Sequence, residues 1–295
     1  MSHQVVVGVD GSASALAAVE TAAREAELRG TALRVVHAFA WPSSHVPLGP
    51  SQPGPAREIR RSAERVLAEA VERALAVAPG IEVGHALVTG DPLGVLEAQS
   101  RSADLVVVGS RGTSEFVGLL VGSTAGHLAT HGRCPVLVVR EQPGADGPVV
   151  VGVDGSAAGE AAVDFAFAEA ALRGAPLLAL HAWTTWNAPL LPPPQDASAP
   201  YANPPGALAE EEERLLYEVL AGHREKYPDV AVEHRVVQGR TREALIGASR
   251  SARLVVVGAR GRGGFAGLLL GSVSQAVLHH AHCPVAVVRG TDPRR

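Results

Sequence analysis

The chain carries one glycine pattern twice, and this duplication constrains its fold more than any other feature. In each half, three glycines separated by gaps of two and nine residues are followed directly by a serine. The members are Gly109, Gly112, Gly122 and Ser123 in the first half, and Gly258, Gly261, Gly271 and Ser272 in the second. Glycines without a Cβ let successive backbone N–H groups turn toward an anion, and a helix start adds partial positive charge. Each serine opens a helical pattern, where its hydroxyl can cap the helix or bond a phosphate oxygen. The pattern therefore predicts a phosphate-binding loop in each half.

Other sequence markers repeat together with these loops. Gly-Val-Asp-Gly-Ser occurs at Gly8 to Ser12 and again at Gly152 to Ser156, and a Cys-Pro pair precedes the last strand pattern of each half. Between the markers, short β-branched runs alternate with helical patterns, which favours parallel strands joined by right-handed crossovers. The predicted fold class is α/β, with two tandem five-stranded parallel doubly wound sheets of the Rossmann-like type. We place the domains at residues 1–142 and 148–291, on either side of a polar segment containing Gly and Pro.

The first half illustrates the predicted order of elements. Ser12 caps a helix that Gly30 ends, Asp91 caps a short helix, and further helices cover residues 57–77 and begin at Ser123. The strands are predicted at residues 4–9, 33–39, 83–88, 105–108 and 136–139. Two Pro-rich segments, residues 41–55 and 184–206, are interpreted as surface loops. Ligands bind at the carboxyl ends of strands in such sheets, so Asp10 and the loop after Gly109 should share one crevice if their strands are neighbours.

Composition and charge exclude several classes of protein. The 295 residues have a formal net charge of −4 and a pI near 6.3, which provides no basic surface for nucleic acid or an anionic membrane. No apolar run reaches the roughly 18 residues of a membrane span, and no targeting pattern precedes the first strand, so we expect a cytoplasmic protein. Lys226 is the only lysine and lies away from the glycine loops, which disfavours a Walker-type loop and Schiff-base chemistry. Cys134 and Cys283, one per half, are interpreted as small buried residues at strand starts.

No group of residues indicates a catalytic centre or a metal site. A G-x-S-x-G motif is missing and no Ser, His and Asp set has suitable spacing, so we predict no catalytic residue. The run from His279 to Cys283 resembles a metal cluster, but adjacent histidines on a helix point in different directions and only His131 and Cys134 recur in the first half. We therefore predict no metal site. His37 and His181, which end equivalent strands, are interpreted as structural.

The charged residues beside the loops each have two interpretations. Asp10 and Asp154 can accept hydrogen bonds from a base amine or a ribose hydroxyl, or they can serve as turn or cap residues. Their placement opposite the glycine loops favours the ligand role. Arg111 and Arg260 lie inside the loops, where they either contact terminal phosphates or remain solvated cations.

These motifs together resemble those of the universal stress protein family in its tandem-domain form. The resemblance covers nearly the whole chain, with Gly-Val-Asp-Gly-Ser at both domain starts, Leu-Val-Val-Val-Gly before both loops, Gly-Ser after them and Cys-Pro-Val before the last strands. The glycine spacing is that of the ATP-binding branch of the family. The resemblance implies ATP, with or without Mg²⁺, in each domain, and a regulatory role in stress, dormancy or hypoxia. It also implies pairing of the domains through their final strands, and we expect a regulatory protein partner and allow for a homodimer.

Carried onto this sequence, the resemblance assigns an adenosine end and a phosphate end to each domain. In the first domain the implied binding residues are Gly8, Asp10 and the backbone after His37 for adenosine, and Gly109, Ser110, Arg111, Gly112, Thr113, Ser114, Glu115, Gly122, Ser123 and Thr124 for the phosphates. In the second domain they are Gly152 and Asp154 for adenosine, and Gly258, Ala259, Arg260, Gly261, Arg262, Gly263, Gly264, Gly271, Ser272, Val273 and Ser274 for the phosphates.

The two loops differ in charge. Residues 261–264 read Gly-Arg-Gly-Gly, whereas residues 112–115 read Gly-Thr-Ser-Glu, so the first loop lacks a cation and gains the acid Glu115. A carboxylate about 6 Å from one phosphate charge costs on the order of 1 to 3 kcal/mol, and we therefore predict tighter ATP binding at the second site. Other functions stay open at this point: a slow ATPase, an adenylating relative of the ATP-pyrophosphatase folds, a cyclic-AMP-binding module, or an interaction module without nucleotide.

Overall fold

The computed structural model describes residues 4–39, 54–112, 121–140, 146–184, 207–262 and 270–290. The chain divides into two compact units. The first comprises Met1–Pro143 together with Pro284–Arg289, and the second comprises Gly144–Cys283 together with Gly290–Arg295.

Strands and helices alternate along both repeats, as the sequence predicts. The first repeat contains β1 (Gln4–Gly8), α1 (Ala13–Arg29), β2 (Ala32–Phe39), α2 (Gly54–Val77), β3 (Val83–Thr89), α3 (Pro92–Gln99), β4 (Leu105–Gly109), α4 (Ser123–His131) and β5 (Val136–Val139). The second contains β6 (Val149–Gly152), α5 (Ala157–Arg173), β7 (Leu177–Trp183), α6 (Ala207–Lys226), β8 (Val232–Gln238), α7 (Thr241–Ala248), β9 (Leu254–Gly258), α8 (Ser272–His280) and β10 (Val285–Val288).

Each unit is built on a parallel sheet. In the first unit the strand order is β3-β2-β1-β4-β5, and β10 joins the same unit by pairing antiparallel with β5, where Val285 lies opposite Val138. In the second unit the order is β9-β6-β7-β8. The middles of the central strands are buried, as Val5, Val6 and Val7 of β1 show, because helices cover the faces of a parallel sheet. The α/β doubly wound fold predicted from the sequence is confirmed.

The first and fourth strands of each repeat are neighbours. Val5 on β1 lies opposite Leu105 on β4, and Val149 on β6 lies opposite Leu254 on β9. Parallel neighbours end at the same edge of the sheet, so the residues after β1 and β6 lie beside the loops after β4 and β9. The predicted crevice requires these two strands to be neighbours, and they are.

Helix boundaries agree with the sequence in most places. Ser12 caps α1 through the N–H of Ala15, and Gly30 ends it with a φ of 62°, in the left-handed region that favours glycine. The start predicted for α2 was three residues late: the helix begins at Gly54, so residues 54 and 55 belong to it and not to the predicted loop. Proline is tolerated there because the first helical turn needs no N–H donor. Residues 41–53 and 185–206 of the two predicted loops lie outside the described residues. Within the described part of the chain, no helix combines the length and apolar character needed to cross a membrane.

Candidate functional site

A cavity of about 720 Å³ lies at the carboxyl ends of β6, β7 and β9 in the second unit. Most of the second-domain residues predicted from the sequence line it. These are Gly152, Asp154, Gly258, Arg260, Gly261, Arg262, Gly271, Ser272, Val273 and Ser274. Ala259 lies in the same loop and is buried, and Gly263 and Gly264 lie outside the described residues. The cavity is of the size that binding sites for small molecules have, roughly 300 to 1,000 Å³.

Asp154 connects the turn after β6 to the glycine loop. Its Oδ2 accepts a hydrogen bond from the backbone N–H of Arg262 at 2.8 Å, and its Oδ1 accepts from the N–H and the hydroxyl of Ser156 at 3.0 and 2.7 Å. A Cβ on Gly261 would lie 2.2 Å from Oδ2, so only glycine permits this close approach. Asp154 is thus a turn residue that also holds the loop in place, while Ser156 serves as the helix cap.

The first repeat brings its predicted residues together in the same way. Asp10 Oδ1 accepts from the N–H of Ser12 at 3.0 Å, and a Cβ on Gly112 would lie 2.8 Å from Asp10 Oδ2. A Cβ on Gly109 would lie 2.7 Å from the backbone of Ser14, because the end of β4 packs directly against the first turn of α1. Residues 113–115 of the predicted site lie outside the described residues, whereas Gly8, Ser110, Arg111, Gly122, Ser123 and Thr124 lie within them.

A serine hydroxyl braces each glycine loop, but from a different helix. In the first repeat, the buried Ser14 of α1 donates to the carbonyl of Arg111 and accepts from its N–H. In the second repeat, Ser274 of α8 donates to the carbonyl of Gly258 at 2.5 Å. The hydroxyl hydrogen of Ser274 is therefore used inside the protein.

The helices that follow the glycine loops begin without a side-chain cap. Gly122 and Gly271 are the N-cap residues of α4 and α8, and within the described chain no side chain bonds to these helix starts. The expectation that Ser123 or Ser272 caps the helix is therefore wrong, because each is the first residue of the helix itself. Among the helices whose starts the structure describes, three others carry side-chain caps, at Ser12, Asp91 and Ser156. The first N–H groups of α4 and α8 have no partner within the helix, and they point out of its N-terminus.

The two N-cap glycines have ordinary backbone angles. Gly122 has φ −69° and ψ 159°, and Gly271 has φ −72° and ψ 152°, a region that any residue can adopt. A Cβ would meet its nearest neighbours at 3.6 Å on Gly122 and 3.5 Å on Gly271, which is normal van der Waals contact. Neither the backbone nor the packing requires glycine here. Glycine at these positions leaves the two helix starts without the side-chain oxygen that an N-cap residue can supply.

The end of the cavity away from α8 contains a buried histidine and acid. His181 Nδ1 donates to the carbonyl of Val153 at 2.7 Å, and His181 Nε2 lies 2.8 Å from Glu212 Oε2. Trp183, two residues along the same strand, also lines the cavity. Sequence reasoning missed Glu212 and Trp183. The signal for Glu212 was available, because Glu212, Leu216 and Leu220 repeat every four residues and share the buried stripe of α6.

The first repeat lacks this acid. Val66 of α2 and Leu215 of α6 occupy equivalent places. A Cβ on Gly11 would lie 3.2 Å from Val66, and a Cβ on Gly155, the equivalent glycine, would lie 3.0 Å from Leu215. Three residues earlier on each helix stand Ala63 and Glu212. His37 Nδ1 makes the same 2.7 Å contact, with the carbonyl of Val9, but the position of its acidic partner holds an alanine.

The cysteines and histidines outside the cavity form no reactive cluster. Burial raises the pKa of the Cys134 thiol to about 12, and Cys283 is fully buried. A thiol is a nucleophile only as the thiolate, so both cysteines fit the structural interpretation. Among the residues that the structure describes, no group of three or more His, Cys, Asp or Glu side chains is arranged to hold a metal ion.

Comparison with known proteins identifies the family. The sequence model of the universal stress protein family matches residues 1–140 and 147–289. The chain belongs to this family. The universal stress protein Rv2005c of Mycobacterium tuberculosis is 40% identical over 301 residues, which cover 97% of this chain and 97% of that protein. The universal stress protein Rv1996 of the same species is 38% identical over 309 residues, covering 97% and 94%.

A solved structure shares the fold. The crystal structure of a universal stress protein from Archaeoglobus fulgidus aligns over 98% of both chains with a TM-score of 0.68 at 19% identity. Sequence and fold therefore agree on a universal stress protein with two tandem repeats, each carrying the strand-end Asp and the glycine loop described above.

Proposed function

We propose that this universal stress protein is an ATP-binding regulator with one adenine-nucleotide site in each repeat. The observation that carries the proposal is the start of α8. Ser272, Val273 and Ser274, whose backbone N–H groups have no partner within the helix, line the 720 Å³ cavity together with the N-cap residue Gly271. Uncapped helix N-termini attract anions, because their N–H groups lack partners and carry the positive end of the helix dipole.

The phosphate end of the second site would be held mainly by backbone. The loop from Gly258 to Arg262 adjoins the start of α8, where the N–H of Gly271 donates to the carbonyl of Ala259 at 2.8 Å. Because the N–H of Arg262 already bonds to Asp154, the donors assigned to the phosphates are the N–H groups of residues 260, 261 and 272–274. Arg260 and Arg262 both line the cavity and supply positive charge that a polyphosphate needs. Mg²⁺, when bound with the nucleotide, would neutralise further phosphate charge.

The adenosine end would lie toward β7. Gly152 and Asp154 stand between the phosphate loop and the His181 and Trp183 side chains, which line the far end of the cavity. A Trp face provides a stacking surface for a purine base. The first site would use Gly8 and Asp10 at its adenosine end, and residues 109–115 with 122–124 for the phosphates. The acid Glu115 makes this the weaker of the two sites.

Binding, and not turnover, is the activity that the lining residues support. The ionisable side chains able to act as a general base in the second cavity are Asp154, His181 and Glu212, and each is engaged in hydrogen bonds within the protein. We propose that nucleotide occupancy alters the shape of the protein or its choice of partner in the cytoplasm.

Nucleotide analysis of the purified full chain tests the proposal. Denaturing freshly prepared protein and identifying released small molecules by mass should give ATP, and calorimetry on stripped protein should give ATP binding that is tighter at the second site. Two variants separate the sites: Gly271→Asp and Gly122→Asp each place a carboxylate at the start of one helix. If stripped protein binds no ATP, the proposal is wrong. Cyclic AMP as the sole released nucleotide would favour a cyclic-nucleotide module, and ADP formation within minutes would favour an ATPase.

A further inference from the structure

We propose that Glu212 makes the second cavity selective for a purine with a 6-amino group over one with a 6-oxo group. Its carboxylate would accept a hydrogen bond from the exocyclic amine of the base. This inference rests on the proposed function, because it requires a nucleotide whose phosphates occupy the start of α8. It concerns the second repeat alone, since the first has Ala63 at the equivalent position.

The strand order places Glu212 where a base would lie. In the second unit β6 separates β9 from β7, so the phosphate loop after β9 and the His181–Glu212 pair beside β7 are two strand spacings apart. Neighbouring strands are about 4.8 Å apart, which gives roughly 10 Å between the two ends of the cavity. This separation suits a nucleotide lying across the strand ends with its base toward β7.

The contacts of His181 fix the orientation of the carboxylate. The carbonyl of Val153 can only accept a hydrogen bond, so His181 Nδ1 carries a hydrogen. A second hydrogen lies between His181 Nε2 and Glu212 Oε2, which are 2.8 Å apart. Glu212 Oε2 is therefore committed to the histidine. Among the described residues, nothing donates to Glu212 Oε1, although the Glu212 side chain is only 3% exposed and the residue lines the cavity. Oε1 is therefore the carboxylate oxygen that can accept a hydrogen bond from a ligand in the cavity that Glu212 lines.

A 6-oxo purine presents the opposite chemistry at this point. Hypoxanthine carries a carbonyl oxygen where adenine carries an amine, so an acceptor would face the acceptor Oε1. A hydrogen bond to a charged group contributes more than one between neutral groups, and an unsatisfied buried partner costs the desolvation of that group. We expect ATP to bind the second site about tenfold or more tightly than inosine triphosphate.

The test uses the full chain with the first site closed by Gly122→Asp. Calorimetric titration with ATP and with inosine triphosphate should show the preference in this background. Adding Glu212→Ala, which restores the residue of the first repeat, should bring the two affinities within about threefold. Adding Glu212→Gln should reduce the ratio but keep its direction, because His181 Nε2 can accept from the amide N–H₂ and the neutral amide oxygen left facing the base accepts a weaker hydrogen bond than a carboxylate does. The matched control is Gly271→Asp, which leaves only the first site and should show no such preference.

Three outcomes would overturn the inference. Equal affinities for the two nucleotides at the unaltered second site would remove it, and so would a preference that survives Glu212→Ala. A Glu212→Ala chain that loses stability but keeps the same ratio would show that the pair only holds α6 against β7. Absence of any nucleotide binding at the unaltered second site would instead overturn the proposed function, so the two failures are distinguishable.

Discussion

Replacing Gly271 with aspartate should stabilise the fold and weaken nucleotide binding at the same time. The N-cap φ of −72° and ψ of 152° suit aspartate, and the new Cβ would meet its nearest neighbour at 3.5 Å, so no strain is expected. The carboxylate can accept from the N–H groups of Val273 and Ser274, as Asp91 accepts from those of Leu93 and Gly94 at the start of α3.

The magnitudes follow from the cap and from charge repulsion. An acid at an N-cap is more stabilising than glycine by a few tenths of a kcal/mol, a net difference that already includes the helix dipole and the flexibility of glycine. We therefore expect about 0.3 to 1 kcal/mol of added stability. A carboxylate about 4 Å from a phosphate costs about 1 kcal/mol in water and about 4 kcal/mol near a protein surface, which weakens ATP binding by roughly fivefold to nearly a thousandfold.

Two measurements on one variant check this reasoning. Urea unfolding of nucleotide-free protein should give a higher free energy of unfolding for Gly271→Asp than for the unaltered chain, and calorimetry should show loss of the tighter ATP site. Gly122→Asp is the matched control, which should remove only the weaker site. A variant that is less stable than the unaltered chain would contradict the description of an uncapped helix whose N-cap position accommodates a Cβ without strain. A more stable variant with unchanged ATP affinity would contradict the placement of the phosphates.

Three further predictions concern glycine substitutions, the pH dependence of stability and the reactivity of a thiol. Gly109→Ala should destabilise the fold by about 1 to 3 kcal/mol in urea unfolding, because its Cβ would press on the backbone of α1, whereas Gly126→Ala, which meets nothing within 4 Å, should stabilise by up to about 1 kcal/mol. The hydrogen bond from His127 lowers the pKa of Glu97 below its usual 4.5, so this pair stabilises the fold above about pH 4.5 and its contribution is lost as pH falls through the folded pKa. Glu97→Gln should therefore cost up to about 1 kcal/mol at pH 7 and nothing at pH 3, and an equal cost at both pH values would contradict this. The Cys134 thiol, with its pKa raised to about 12, should react with a disulfide reagent far more slowly at pH 8 than after unfolding, and equal rates would contradict its burial.

Local signals in the sequence were sufficient for the framework of the fold. β-branched runs predicted the strands, Ser12 and Gly30 marked the ends of α1, and the strand-helix alternation implied parallel neighbours. These features depend on residues close together in the chain, so periodicity and capping chemistry reveal them. The meeting of Asp154 with the loop at Gly261 also followed from topology, because the strands that carry them are adjacent.

Details that depend on distances between elements were not available from the sequence. Ser14 and Ser274 brace equivalent loops from different helices, and no spacing rule links either serine to its carbonyl partner. α8 begins at Ser272 as predicted, but its N-cap is Gly271, since a glycine and a serine in succession both suit an N-cap and only the backbone angles decide between them. The periodicity of α6 places Glu212 on its buried stripe, but the partner that accommodates an acid there, His181, comes from another element and could not be identified from the sequence.

The most direct test of the account concerns the backbone N–H groups at the start of α8. Amide resonances of Ser272, Val273 and Ser274 can be followed by heteronuclear NMR while ATP or adenosine is added to the labelled full chain. Hydrogen bonds to phosphate should move these three resonances downfield with ATP and leave them nearly unchanged with adenosine. Equal shifts with both compounds, or ATP-induced shifts confined to other parts of the protein, would contradict a phosphate site at this helix.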